Sequence, residues 1–313
     1  MTAAAALFPS VIEAALPAVI QAESVQEGGG IATRRFRRSF PAHLAVFDGH
    51  YPGFPIVPGV LLIEAASVVV EALLGPASRW IGIHTGRFQK PVRPDDEIVI
   101  EIIDDPPVVV AAVESGHARV RVALRVSGES ACSATLIFAP TTQDTSELGL
   151  IETADTEWLG NDTEALDISQ VLPHRQPILL VDRIDALFPG RRIRTRKAIS
   201  ANEMFHGRKS TTAAFPWSLT LESWCQSAGL LVSLGRPNPD VLTGDVMLFG
   251  GLRGVRFGRS PVPGDVLVHE AQLDRSVDGT AVLSGRTSVD GRVIMTVDTI
   301  TLTRRPAYTL TGS

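Results

Sequence analysis

The stretch Gly49-His-Tyr-Pro-Gly-Phe-Pro-Ile-Val-Pro-Gly-Val-Leu-Leu-Ile-Glu64 gathers three glycines and three prolines around a single histidine. Proline fixes φ and glycine opens tight turns, so a loop of this kind has few conformations and holds His50 in one place. Pro58 stands where a first helical turn begins, and the residues after it stay apolar nearly all round to Leu74. That pattern predicts a helix buried on every side, not a surface helix with one apolar stripe. At its start the free backbone N–H groups, that of Gly59 among them, offer a place for a developing oxyanion. Glu64 lies on the same helix among Leu, Ile, Ala and Val, where burial raises a carboxyl pKa unless a cation pairs with it.

The same plan returns later in the chain. Ile12-Glu-Ala-Ala-Leu-Pro17 recurs 156 residues on as Ile168-Ser-Gln-Val-Leu-Pro173, and Phe47-Asp-Gly-His50 recurs 158 residues on as Phe205-His-Gly-Arg208. Pro58-Gly-Val-Leu-Leu-Ile-Glu64 recurs as Pro216-Trp-Ser-Leu-Thr-Leu-Glu222. Arg87-Phe88, followed by Pro94-Asp95-Asp96, recurs as Arg256-Phe257, followed by Pro263-Gly264-Asp265. Four blocks in one order mean two copies of one domain. The offset grows to 169 at the last block, which a single insertion around Gly235 to Asp245 absorbs. The copies are expected at residues 1–140 and 166–313, with 141–165, rich in threonine and carboxylates, as an acidic linker.

In each copy runs rich in Val, Ile and Thr follow the helix. They predict strands at Glu97–Ile103, Val108–Val113, Ala118–Val126 and Ala131–Phe138, then at Val266–Leu273, Thr280–Ser288 and Arg292–Thr303. One buried helix plus a meander of strands is an α+β arrangement, an antiparallel sheet curled round a helix.

Composition bounds the function. Of 313 residues, 44% are apolar and 20% charged, which suits a globular protein, and the net charge of −5 provides no general field for nucleic acid. The apolar runs are broken by Glu64 and Glu71, short of the roughly 20 residues that cross a bilayer, so no membrane partner is expected. The first twenty residues lack a basic leader and carry Pro9 and Glu13 where a secretory core would be continuous, so a cytoplasmic protein is expected. Cys132 and Cys225 read as buried small hydrophobes. No His or Cys cluster has zinc-ligand spacing, and neither a metal nor a cofactor is expected.

The copies differ where chemistry would occur. Arg208 takes the place of His50, and Trp217 that of the helix-start Gly59. The second copy keeps Glu222 at the position of Glu64 and adds Gln226 one helical turn on, where the first has Val68. The losses are complementary.

The loop and helix resemble the signature of the β-hydroxyacyl-acyl carrier protein dehydratases, the FabZ/FabA family, whose pattern is G-H-F-P-G-x-P-x-x-P-G-V-L-x-x-E-A. Leu172-Pro-His-Arg-Gln-Pro-Ile-Leu-Leu-Val-Asp-Arg183 is similar to that family's N-terminal motif, and the blocks at Arg87-Phe88 and Arg256-Phe257 extend the likeness over nearly all of both copies. The resemblance implies a double hot-dog, two hot-dog domains sharing one sheet as a pseudo-dimer. It also implies a site between them, with histidine and helix-start glycine from one hot dog and the acid from the other. On that basis His50 is the expected base, Gly59 the oxyanion donor, Glu222 the acid and Gln226 its orienting partner. The carbonyl near Ile56 would orient the imidazole, and Tyr51, Pro58, Phe88 and Phe257 would touch substrate. The opposite pairing, Glu64 with Arg208, is expected to be a vestigial site closed by a salt bridge. The implied substrate is a 3-hydroxyacyl chain on acyl carrier protein, and the fused pair is open to further homo-oligomeric assembly.

Arg34, Arg35, Arg37 and Arg38 form a basic strand, read either as a solvated strand face or as a docking patch for an acidic carrier protein. His43, His84, His117, His174, His206 and His269 show no partner pattern and are read as surface residues. Two other functions compete: a hot-dog thioesterase or coenzyme A hydratase, and a non-catalytic acyl-binding partner of another dehydratase. The chain lacks an Asn-Pro-Ile-His type hydratase motif, while the degenerate second copy keeps the non-catalytic reading open.

Overall fold

The computed structural model describes residues 23–25, 33–104, 106–144, 166–201 and 214–311. Its first helical turn, α1 at Val46–Gly49, leads into the loop that carries His50. The buried helix follows as α2, Gly59–Leu74, capped by Pro58 with φ −53° and ψ 132°. Its twin is Trp217–Ser233, here α4, capped by Pro216 in nearly the same conformation, φ −58° and ψ 140°. Both run through the core, with Val60, Ile63, Ala66 and Val69 of α2 and Leu219, Trp224 and Ala228 of α4 all buried.

Among the described residues, twelve strands wrap the two helices in one antiparallel sheet. The first copy contributes β1 (Glu23–Val25), β2 (Thr33–Arg38), β3 (Ser78–Phe88), β4 (Ile98–Ile102), β5 (Ala118–Val126) and β6 (Glu129–Pro140). The second contributes β7 (Arg183–Phe188), β8 (Arg192–Ala198), β9 (Asp245–Phe257), β10 (Val266–Val277), β11 (Thr280–Val289) and β12 (Arg292–Pro306). Their order, β1-β2-β4-β5-β6-β3-β9-β12-β11-β10-β8-β7, reads the same from either end once the copies are exchanged. The halves join where β3 pairs with β9, Gly82 opposite Arg256 and Arg87 opposite Gly251. Sharing one sheet removes an exposed edge from each half and fixes their relative orientation through backbone hydrogen bonds.

One element departs from expectation. Val108–Val113 is not a strand but part of a helix, α3, Pro106–Glu114. Val109 and Val113, one helical turn apart, are both buried, whereas Val108 is 66% exposed. The Pro-Pro start suits a first helical turn, and packing at helical spacing overrides the β-propensity of three successive valines. The linker region beyond residue 144 and Arg208 lie outside the described residues. None of the described helices is long and apolar enough to cross a membrane.

Candidate active site

The Gly-Pro loop places His50 directly after α1, its N–H donating to Val46 O at 2.8 Å. The imidazole is buried, and its Nδ1 lies 2.9 Å from Ile56 O. A carbonyl only accepts, so Nδ1 carries the proton and Nε2 keeps its lone pair. Tyr51 covers one face of the ring, stacked at 4.6 Å between centroids and inclined by 8°. Tyr51 has φ +57°, a left-handed backbone that a tyrosine seldom adopts. Its hydroxyl donates to Met247 O on β9 at 2.5 Å, which ties the first half's loop to the second half's strand.

The second half approaches through Pro173-His174-Arg175-Gln176. The N–H of Arg175 donates to Gly49 O at 2.9 Å, so the residue before His50 is hydrogen-bonded to the residue after His174. The approach is close enough that a Cβ on Gly49 would lie 2.2 Å from Arg175 O. Glu222, in the second turn of α4, meets this junction from within the core. The imidazole nitrogens of His50 and His174 and a carboxylate oxygen of Glu222 offer one ligand atom each, all within 4.8 Å of one another. His174 Nε2 is 3.6 Å from Glu222 Oε1.

Glu222 is held from behind by a chain of hydrogen bonds. Gln226 Nε2 donates to Glu222 Oε1 at 3.0 Å and to Ile178 O at 2.8 Å, while its Oε1 accepts the Leu180 N–H at 2.8 Å. Those contacts fix the amide's orientation. On the other side of Leu180, Ser223 Oγ donates to Leu180 O at 2.5 Å and lies 2.7 Å from His269 Nε2. Ser223 has spent its one proton, so His269 donates from Nε2 and accepts from Thr287 at Nδ1, 2.8 Å away. The network therefore runs unbroken from Thr287 to Glu222.

Burial sets the protonation states. Desolvation pushes His50 down from 6.5 to about 4, against the opposing pull of the Ile56 carbonyl. Glu222 is pushed up to about 7 by the same cause, partly offset by the Gln226 hydrogen bond. At neutral pH the pair therefore holds a free imidazole beside a carboxyl whose hold on its proton is raised toward neutrality. A free base next to a neutral acid suits proton removal at one carbon and protonation of a leaving oxygen at the next.

A narrow pocket opens beside these groups, lined by Tyr51, His174, Glu222, Gln226, Met247 and Phe249 among others. Asn238 and Val241 of the segment identified as an insertion also line it, so the length difference between the copies is spent at this site. Gly59 opens α2, with the half-buried ring of Phe88 directly over it. His50, Pro58, Gly59 and Phe88 are not among the pocket's lining residues; His50 adjoins it through Tyr51, whose ring stacks on the imidazole.

Phe257 belongs to the opposite end of the pseudo-twofold. It stacks on Trp217 at 4.6 Å and 9°, and meets Trp80 edge-on at 4.8 Å. Aromatic side chains thus pack around the helix start of the second copy. Glu64 there accepts a hydrogen bond from Ser218 Oγ, and burial raises its pKa to about 7. The partner found for Glu64 is thus a serine hydroxyl, while the expected partner, Arg208, lies outside the described residues.

Two histidines correct the surface reading. His174 and His269 are buried at 7% and 0% exposure, whereas His43 and His117 are exposed and His206 lies outside the described residues. For His174 a signal exists in the sequence: the aligned position of the first copy is Ala18, so this histidine occurs only in the copy that supplies Glu222. The four arginines of β2 divide between the two faces of the strand. Arg38 shares the inward face with Phe36 and is buried, while outward Arg35 and Arg37 pair with Glu101 and Glu97.

Comparison with known proteins gives the family and the fold. Residues 27–109 match the family model of the ApeI-like dehydratases, and residues 172–298 match that of the FabA-like domain. The 3-hydroxyacyl-[acyl-carrier-protein] dehydratase FabZ of Cronobacter sakazakii is 37% identical over 131 residues, 41% of this chain and 84% of that protein. The same enzyme of Thiobacillus denitrificans is 38% identical over 133 residues, 41% of this chain and 91% of that protein. The chain belongs to the FabZ dehydratase family. Less than half of it accounts for most of a FabZ relative, consistent with two FabZ-like units in one polypeptide. Among solved structures, the dehydratase domain of PpsC from Mycobacterium tuberculosis, in complex with C12:1-CoA, has a TM-score of 0.60 at 14% identity, covering 90% of this chain and 97% of that one. The dehydratase domain from the CurJ module of curacin polyketide synthase has a TM-score of 0.61 at 12% identity, covering 93% and 98%. At that identity the likeness is one of fold, the double hot-dog.

Proposed function

We propose that this FabZ-family chain eliminates water from 3-hydroxyacyl thioesters carried on acyl carrier protein, giving trans-2-enoyl thioesters, with one composite site per chain. The observation that carries the proposal is the meeting of an oriented, unprotonated imidazole from one half with a buried carboxyl from the other. His50 Nε2 takes a proton from C2 of the substrate, and charge develops on the thioester oxygen. The N–H of Gly59, at the positive end of a 16-residue helix, is the donor assigned to that oxygen. Glu222 gives its proton to the C3 hydroxyl, the C3–O bond breaks and water departs. Gln226 keeps the acid oriented, and the proton gained by His50 returns to Glu222 before the next turnover. Tyr51 and the pocket beside it hold the chain. The division into 1–140, 141–165 and 166–313 goes with this reading, since base and acid then come from separate units.

The pH dependence follows from the two shifts. His50 works unprotonated, so activity falls as pH drops through about 4, and Glu222 works protonated, so activity falls as pH rises through about 7. A plot of kcat/KM against pH is expected to be a bell between those values, with roughly tenfold loss one unit beyond the alkaline limb. Glu222→Gln should abolish that limb in whatever activity remains. A profile still rising at pH 8 would remove Glu222 as the acid.

Glu64 tests the one-site model. Glu64→Gln keeps an acceptor for Ser218 in a nearly unchanged volume, so turnover of a 3-hydroxyacyl carrier-protein substrate should stay within about twofold of wild type. A loss as large as that of Glu222→Gln would mean that both ends of the pseudo-dimer work.

A further inference from the structure

We propose that His50, His174 and Glu222 also form a zinc site, and that a bound Zn²⁺ switches the dehydratase off. The sequence does not announce such a site, because its ligands stand at positions 50, 174 and 222 and only the docking of the halves assembles them. Two imidazoles and one carboxylate are a donor set typical of zinc, whereas Mg²⁺ and Ca²⁺ prefer oxygen alone. Tetrahedral zinc with bonds of 2.0–2.1 Å places its ligand atoms about 3.4 Å apart. The three ligand atoms already lie within 4.8 Å of one another, one pair at 3.6 Å, so side-chain rotations of about an ångström complete the geometry.

A second observation points the same way. Glu222 Oε2 is buried with no hydrogen-bond partner among the described residues, although buried polar atoms are nearly always paired, and it is the carboxylate oxygen that Gln226 leaves open for an ion. The supports that commonly orient metal ligands are also present: His50 donates its other nitrogen to Ile56 O, and Gln226 donates to Glu222. The pocket beside Glu222, with Asn238 and half-buried Asp245 in its lining, gives an ion a way in. The fourth position remains for water.

One ion per chain is expected, because the second copy has Arg208 in place of His50 and the first has Ala18 in place of His174. Zinc on His50 Nε2 removes the base and zinc on Glu222 removes the acid. Metal binding stands on the geometry alone, and only the inhibition rests on the dehydratase reading. The test is a zinc titration of the purified chain against a competing fluorescent chelator, with X-ray absorption spectroscopy of the loaded wild type and dehydration assays at each occupancy. We expect one zinc per chain with two imidazole ligands, and activity falling in step with occupancy and restored by EDTA. His174→Gln, shown by circular dichroism to keep its fold, should bind zinc about tenfold or more weakly. No zinc bound at micromolar metal, fewer than two imidazoles in the wild-type spectrum, or an unchanged affinity in His174→Gln would overturn the site. Full activity at full occupancy, with both imidazoles seen, would leave the metal site standing and overturn the roles given to His50 and Glu222.

Discussion

His50→Ala and Glu222→Gln should each lower kcat/KM on a 3-hydroxyacyl carrier-protein substrate by ~10³-fold, within the range that a positioned acid or base supplies. The glutamine variant is the sharper of the two. It keeps the volume of Glu222 and an oxygen to accept from Gln226, so its loss reports the missing proton and not a collapsed core. Because base and acid serve one elimination, the double variant should be about as slow as the worse single one, the non-additivity expected of groups that act as a unit. Steady-state rates for the four proteins close the cycle. Losses that multiply to ~10⁶ would indicate two groups working independently, and the proposed concert between the halves would fall.

Gly49→Ala tests the junction without touching a reacting group. The added methyl would lie 2.2 Å from Arg175 O and 3.0 Å from Arg175 C, both backbone atoms that no rotamer change can move aside. The two loops must part, and the 2.9 Å hydrogen bond from Arg175 N to Gly49 O is lost. Since His50 follows Gly49 and His174 precedes Arg175, both walls of the site shift together. A displacement of about 1 Å is enough to cost ~10²-fold in rate, and overpacking of this kind destabilises by about 1–3 kcal/mol. Kinetics and a thermal melt on the same preparation separate the two effects. Wild-type values in both would show that the loops do not bear on one another as described.

The internal repeat, the two buried helices and most of the outer strands are legible in the sequence, because each leaves a local trace: block order, an all-round apolar run, a β-branched run. The two strands of the seam are not. β3 and β9 carry Gly82, Gly86, Gly250, Gly251 and Gly254, and glycine weakens the composition by which a strand is recognised. Their glycines answer to the partner instead, since a Cβ on Gly82 would lie 2.4 Å from Val255 O. At the site, His50, Tyr51, Glu222 and Gln226 stand out in the sequence by motif and by comparison of the copies. His174 leaves only the difference from Ala18, and the network through Ser223 and His269 leaves no trace, because its meaning lies in contacts across 43 to 48 residues of chain. α3 was hidden for another reason: its three valines satisfy a helix and a strand equally well until burial decides.

The aromatic packing of Trp217, Phe257 and Trp80 at the far end of the pseudo-twofold has a wider meaning. An assembly of identical subunits must accept every substitution twice, so a bulky ring that braces one corner would also block its symmetry mate. With both units encoded in a single polypeptide, glycine can stand at position 59 and tryptophan at its counterpart, 217. Each end is then free to specialise, one in turnover and the other in holding the molecule together.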